Sequence, residues 1–230
     1  MPLKTKNEHL EKLLISQLPK QEVKEWLQEF SAPFKELIAY YRCAMMEVAT
    51  KFNVLSEELS LEYDRNPIET VKSRIKSIES ITDKLLRKDL DLTVENIEKY
   101  IYDVAGIRVI CAFPADIYAI SDALLRQDDV RLIEVKDYIK NPKSNGYRSL
   151  HLIIEIPIFL HDEKRYMKVE VQFRTISMDW WASLEHKIKY KKDVAHHNLI
   201  GKELLECAEI ASDLDERMEQ IYKYVSTEKE

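Results

Sequence analysis

Between Asp103 and Tyr190 the sequence switches repeatedly between a period of two and a period near three and a half, and this alternation restricts the fold more than any other feature. The runs "VAGIRVICAF", "VRLIEVKDYI", "RSLHLIIEIPI" and "YMKVEVQFRT" are rich in β-branched and aromatic residues and are bounded by polar loops, which predicts strands. "ADIYAISDALLRQ" and "TISMDWWASLEHKIKY" carry their apolar residues at helical spacing. A sheet interleaved with helices buries at least one face beneath them, so an α/β or α+β sheet domain is expected.

Long helices are predicted on either side. Leu27, Phe30, Phe34, Leu37, Tyr41, Met45, Val48, Phe52, Leu55 and Leu59 step by three and four, with a restart expected near Ser31 because Pro33 breaks a helix interior. A second helix is expected from Asn66 as cap, with Pro67 in the first turn and Glu69 three residues after the cap. Leu204, Cys207, Ala208, Ala211, Leu214, Met218, Ile221 and Val225 form an apolar seam near the end of the chain. The expected division is a helical extension over 1–65, a central domain over 66–195 and a helix over 196–230 for packing or oligomerisation, with a break near Lys192–Asn198.

Composition excludes several function classes. No apolar run approaches a membrane span, and "MPLKTKNEHLEKLL" has no apolar core of a secretory signal, so a soluble cytoplasmic protein is expected. Cys43, Cys111 and Cys207 lie far apart, which disfavours a disulfide framework or a cysteine metal site and suggests small buried hydrophobes. A net charge of -6 argues against nonspecific nucleic-acid binding over the whole surface and leaves room for a local basic pocket. With only Gly106, Gly146 and Gly201, neither a G-x-x-x-x-G-K-[ST] loop nor a G-x-G-x-x-G turn is possible.

Read as a helix, Val71–Lys88 places Val71, Ile75, Ile78, Ile81 and Leu85 on a core stripe, with Ser77, Ser80, Lys84, Arg87 and Lys88 on the adjoining face. Arg74 and Lys76 then fall in the first turns, where the helix dipole favours anions. This face suits a polyphosphate; a merely solvated basic face reads the same way. In "KVEVQFRT" the period of two sends Lys168, Glu170, Gln172 and Arg174 to one side and Met167, Val169, Val171 and Phe173 into the core. That side is either a substrate floor or the wet face of an edge strand, and Tyr147, Ser149 and His151 share a face on the neighbouring strand. Asp103, at the mouth of one strand, and Glu170 on another are candidates to hold magnesium with substrate phosphates, or else a turn cap and a surface ion pair. The His161–Asp162 pair lacks upstream partner ligands, and His196–His197 reads as a loop.

The segments "KSRIKSIESITDKLLRK", "DVAGIRVICAF", "NPKSNGYRSLHLIIEI" and "VEVQFRTISMDWWASLEHKIKYK", in that order, resemble the synthetase domain of the RelA/SpoT family. With no hydrolase domain upstream and no regulatory domains downstream, the chain is similar to the single-domain small alarmone synthetases, and its wording is nearer to the RelP branch than to the RelQ branch. The resemblance implies an α+β fold, a nucleotidyltransferase-like mixed sheet flanked by helices, and transfer of the β,γ-pyrophosphate of ATP to the 3'-hydroxyl of GDP or GTP. The products are AMP and ppGpp or pppGpp, the messengers of the stringent response.

The same resemblance implies residue roles. Asp103 would hold Mg2+, and Glu170 would assist it or act as the base that takes the 3'-hydroxyl proton. Arg74 and Arg108 would clasp adenine, and Lys76, Ser80, Lys84 and Arg87 would grip the ATP phosphates. Tyr147 would stack on guanine; Lys143 and Arg148 would meet the acceptor phosphates; Asn145 and Gly146 would let the loop close; His151, Gln172 and Arg174 would complete the acceptor floor. Asp179 stands where some relatives carry an asparagine that reads the guanine edge, and a carboxylate can also accept from guanine N1 and N2. The helical flanks imply a homotetramer. A catalytically silent nucleotide-binding regulator and an RNA-binding module, the latter from basic and aromatic interleaving at Lys140–Arg148, stand as the competing classes.

Overall fold

In the computed structural model, residues 20–62, 65–189 and 197–227 are described. The predicted break at Lys192–Asn198 falls largely outside these residues, as do His196 and the N-terminal stretch.

Helix α1 (Lys20–Glu62) runs unbroken through Pro33, with no restart at Ser31. A proline deletes one backbone hydrogen bond and crowds one carbonyl. Against that local cost stands the burial of Phe34, Leu37, Tyr41, Ala44, Val48, Phe52 and Leu55, which form one continuous stripe. The stripe crosses β1 (Ile68–Ile75), β2 (Ala105–Cys111), β5 (Lys164–Thr175) and β4 (Leu150–Phe159). Phe52 meets Phe173 edge to face at 5.7 Å between ring centroids. With β3 (Arg131–Asp137) the strands form a five-stranded sheet in the order β1-β2-β5-β4-β3, in which only the β2–β5 pair is parallel. The fold is a mixed sheet flanked by helices, α+β as expected.

The largest difference from expectation lies at Asn66–Lys88. Ile68–Ile75 is an edge strand, not a helix, and Asn66 caps no helix; its side-chain oxygen accepts from the Ile68 amide. Ser77 is the true cap, its hydroxyl accepting from the Ser80 amide to open α2 (Ile78–Leu86). Arg74 and Lys76 therefore precede the helix instead of occupying its first turns. A short helix absent from the expectation, α3 (Val94–Tyr100), is capped by Thr93. Helix α4 (Pro114–Leu125) packs on β2 and β5.

Helices α5 (Ile176–Lys189) and α6 (His197–Thr227) close the chain. Thr175 and Ser177 both donate to buried Asp215, and Trp181 Nε1 donates to the Leu204 carbonyl, so α6 is tied to the end of β5 and the face of α5. Only part of the predicted seam is buried: Leu204, Ala208 and Ala211 are covered, while Leu214, Met218, Ile221 and Val225 stay exposed. Of the cysteines, Cys111 is buried, Cys43 half-buried and Cys207 exposed, so Cys207 corrects the expectation. Among the described residues, no helix is long and apolar enough to cross a membrane.

Gly146 is the one position where a left-handed backbone and a close approach coincide. Its φ is +86°, and a Cβ there would lie 2.5 Å from Ala208 Cβ on α6. Gly146→Ala is expected to destabilise the fold by about 2 kcal/mol or more, from backbone strain and overpacking together. A urea midpoint unchanged from wild type would contradict this.

Candidate active site

Strand register builds the site. Residues directly paired in a sheet project to the same side. On β5 the period of two presents Glu170, Gln172 and Arg174 away from the α1 side. Glu170 pairs with Gly106 and Ile153, and Gln172 with Arg108 and His151. Across β1–β2, Arg74 pairs with Gly106 and Lys72 with Arg108; across β3–β4, Lys136 pairs with His151. One face of the sheet therefore carries a continuous polar surface from β1 to β3, and the faces of β4 and β5 coincide.

At one end of this surface lies Asp103, in the turn before β2. Lys76 and Lys84 each donate to one of its oxygens at 2.9 Å. Burial pushes its carboxyl up, but the hydrogen bonds and charges of Lys84 and Lys76 outweigh it and hold Asp103 below the usual carboxylate range. Ser80, in the first turn of α2, and Arg87, at its C-cap, lie exposed on the same helix as Lys84. Lys76 and Lys84 thus bring two ammonium groups to Asp103, with Ser80 and Arg87 on the same helix as Lys84 and Arg74 on the adjoining strand.

Glu170 occupies the centre. His151 Nδ1 lies 3.3 Å from one of its oxygens and Gln172 Nε2 donates to the other at 2.7 Å. Burial raises its proton affinity and the His151 and Gln172 contacts lower it further than burial raises it, so Glu170 lies below the usual range. The charge of Asp103 opposes that shift. Beyond His151 the chain of contacts continues: Tyr147 Oη is 2.9 Å from His151 Nε2, and Arg174 donates to Tyr147 Oη at 2.7 Å and to Gln172 Oε1 at 3.4 Å. Because a carboxylate only accepts, this closed ring places the donor at His151 Nδ1 facing Glu170; in a neutral imidazole the Tyr147 hydroxyl then donates to Nε2.

The Tyr147 ring stands edge to face with Tyr138 and His151, and the Lys143 ammonium lies 4.5 Å from the Tyr138 ring centre and 4.9 Å from that of Tyr147. Asn145 does not line the surface as a free hinge: its amide donates to Glu185 on α5 and its oxygen accepts from the Tyr147 amide. Gly146 and Arg148 turn toward α6, where Arg148 Nε donates to Ser212. The correction has a plain cause. Adjacent residues of an extended segment point to opposite sides, so Tyr147 in the site sends Arg148 to the helix behind it.

Asp179, from the first turn of α5, accepts from Arg108 and Arg174 at 3.0 Å and from Lys72 at 3.3 Å. Burial again opposes and Arg108, Arg174 and Lys72 prevail, so its carboxyl is held below the usual range. The buried Nε atoms of Arg108 and Arg174 have no partner among the described residues and keep donors in reserve. Lys72 and Lys136 escaped the reading of the sequence. Lys72 was hidden by the helical reading of its segment, whereas the alternation of Glu134 and Lys136 in "VRLIEVKDYI" was a usable signal. His161 and Asp162 lie in the β4–β5 turn, away from this surface.

Among the described residues, no cluster of three or more His, Cys, Asp or Glu forms a metal cage. Asp103 and Glu170 fit a hard cation that takes one or two carboxylates and fills its remaining places with substrate oxygens and water.

The family profile described as "Region found in RelA / SpoT proteins" matches residues 73–195, which hold all of these side chains except Lys72 and Ser212. The chain belongs to the RelA/SpoT family. The GTP pyrophosphokinase YwaC of Bacillus subtilis is 48% identical over 192 residues, 84% of this chain and 91% of that protein. The crystal structure of the small alarmone synthetase 2 of B. subtilis superposes with a TM-score of 0.75 at 48% identity, covering 83% of this chain and 98% of the other. The small alarmone synthetase 1 of B. subtilis, bound to its product pppGpp, gives a TM-score of 0.77 at 33% identity over 84% and 97%. Among RelA/SpoT proteins, then, the similarity is to small synthetases over nearly their full length.

Proposed function

We propose that this chain is a small alarmone synthetase: a GTP pyrophosphokinase that transfers the β,γ-pyrophosphate of ATP to the 3'-hydroxyl of GDP or GTP, giving AMP and ppGpp or pppGpp. The observation that carries the reading is the single polar face on which an Asp103–Lys76–Lys84 cluster and a Glu170–His151–Tyr147–Arg174 ring stand side by side. The synthetase domain is assigned to 66–195, with helical extensions on both sides.

The donor pocket is the Asp103 end. Lys76, Lys84, Ser80 and Arg87 take the ATP phosphates, and Arg74 and Arg108, on adjacent strands, take the adenine between planar guanidinium groups. Asp103 and Glu170 would hold Mg2+, which when bound would neutralise charge on the phosphates. The acceptor pocket is the opposite end. Lys143 and Lys136 meet the 5'-phosphates, Gln172 and His151 line the floor, and Tyr147 supplies the stacking face. Glu170, between the pockets and ionised at neutral pH, takes the proton of the 3'-hydroxyl as that oxygen bonds to the β-phosphorus and the bond to AMP breaks. A carboxylate this acidic removes the proton only in concert with attack.

Incubation with ATP, magnesium and GDP or GTP, followed by ion-exchange separation of nucleotides, tests the assignment. Equimolar AMP and tetra- or pentaphosphate support it; binding without turnover refutes it. Tyr147→Ala is expected to raise KM for the guanine nucleotide by about tenfold to a hundredfold through lost stacking, with a smaller change for ATP. Equal loss on both substrates would contradict the stacking role.

The assembly is a homotetramer formed through the helical flanks. Exposed Ile176, Trp180, Ile210, Leu214 and Met218 line an apolar groove of ≈ 640 Å³ between α5 and α6, a surface suited to a second copy. Light scattering that returns a monomer at micromolar concentration would overturn this.

A further inference from the structure

Three strands and one helix converge on Asp179. The side chain is 13% exposed, and its Oδ1 accepts from two guanidinium groups at once, Arg108 and Arg174, while Oδ2 faces the Lys72 ammonium. Arg108 comes from β2 on the donor side. Arg174, 5% exposed, comes from β5 and holds the Tyr147 hydroxyl with its other terminal nitrogen. The carboxylate thus touches both Arg108, assigned above to the adenine, and Arg174, the arginine that holds the Tyr147 hydroxyl.

We propose that Asp179 is a positioning residue that joins the two nucleotide pockets, orienting Arg108 toward the donor and Arg174 toward the acceptor, and that it does not read the guanine edge. The inference rests on the synthetase assignment above. It departs from the guanine-reading role that the family resemblance implies for this position.

Two physical arguments support it. Hydrogen bonds between guanidinium and carboxylate are charge-assisted, roughly twice as strong as neutral ones, so the N1 and N2 hydrogens of guanine compete poorly for oxygens already engaged. Removing the charge also has a distant effect. Lys72, Arg108 and Arg174 then face one another without a counter-ion, and both Arg174 and Arg74 already oppose the charge on Arg108. Repulsion would turn Arg108 away from its place beside the adenine and free Arg174 from the Tyr147–His151–Glu170 ring. Asparagine keeps the shape and loses the charge, so Asp179→Asn isolates this contribution.

The test compares wild type, Asp179→Asn and Asp179→Glu with ATP and magnesium, using GDP and inosine diphosphate, which lacks the guanine 2-amino group, as acceptors. For Asp179→Asn the expected result is a rise in the KM for ATP and a fall in kcat, each at least about fivefold. The ratio of kcat/KM for GDP over inosine diphosphate should stay within about twofold of wild type. Asp179→Glu, which keeps the charge, should recover most of the ATP KM. A ratio that collapses toward one with the ATP KM unchanged assigns Asp179 to guanine recognition and overturns the proposal. Activity lost only in proportion to a lower folded fraction, with both KM values unchanged, also overturns it. Should Asp179→Asn not fold, an Asp179→Glu variant with shifted GDP preference and normal ATP KM counts against the proposal, and one with raised ATP KM and normal preference counts for it. Wild type that makes no product refutes the synthetase assignment instead.

Discussion

Glu170→Gln is expected to lower kcat by about 10³-fold while the fold and both nucleotide sites survive. Glutamine has the same shape and can still accept from Gln172, but it cannot take a proton at neutral pH. Its amide also faces His151 Nδ1–H with a donor where the ring needs an acceptor unless it flips, so the variant's loss reports the proton transfer first and the orientation of His151 second. The pH dependence follows from the direction of the shift. A glutamate held below its ordinary value of about 4.3 is already ionised through the neutral range, so wild-type kcat between about pH 6 and 8 carries no inflection from Glu170. A folded variant with near-normal turnover would refute the assignment. An acid limb centred near neutrality that vanishes in Glu170→Gln would show instead that the group titrates there.

Asp103→Asn is expected to cost about 10²- to 10³-fold in kcat, the scale of a few kcal/mol of lost charge stabilisation. The neutral amide is a poor ligand for magnesium, so turnover should need far more of the metal to reach its maximum. Nucleotide binding without metal should move the other way. Among the described residues Asp103 is the carboxylate paired with Lys76 and Lys84, each at 2.9 Å, and without it two ammonium groups face the pocket uncompensated. ATP in the presence of a chelator should therefore bind the variant more tightly than wild type. Calorimetry showing weaker chelator-state binding would mean that Asp103 serves mainly to hold the lysines in place.

Side-chain alternation made much of this site legible before any tertiary contact was known. The period of two put Glu170, Gln172 and Arg174 on one side of β5 and Val169, Val171 and Phe173 in the core, and the sheet keeps both sets where they were expected. The same reading failed at Val71–Lys88, where an edge strand leads directly into a capped helix. There Val71, Ile75, Ile78, Ile81 and Leu85 fit a three-to-four spacing across the junction by coincidence, and Ser77, the cap, was counted as a helix interior. Pro33 misled in the opposite direction, because the apolar stripe of α1 outweighs one missing hydrogen bond.

The amino-acid sequence by itself determined which chemical groups are present and, within each strand, which of them share a face, since alternation is a property of the covalent backbone. It also carried the ordered motifs that mark the RelA/SpoT family. Tertiary structure alone decided the partnerships. Asp103 meets Lys76 because β1 and β2 are neighbours, His151 meets Glu170 because β4 and β5 pair in one register, and Asp179 collects cations from three strands because α5 turns back over the sheet. Local spacing contains none of these distances. They are set by strand order and register, which the buried face fixes and the polar face inherits.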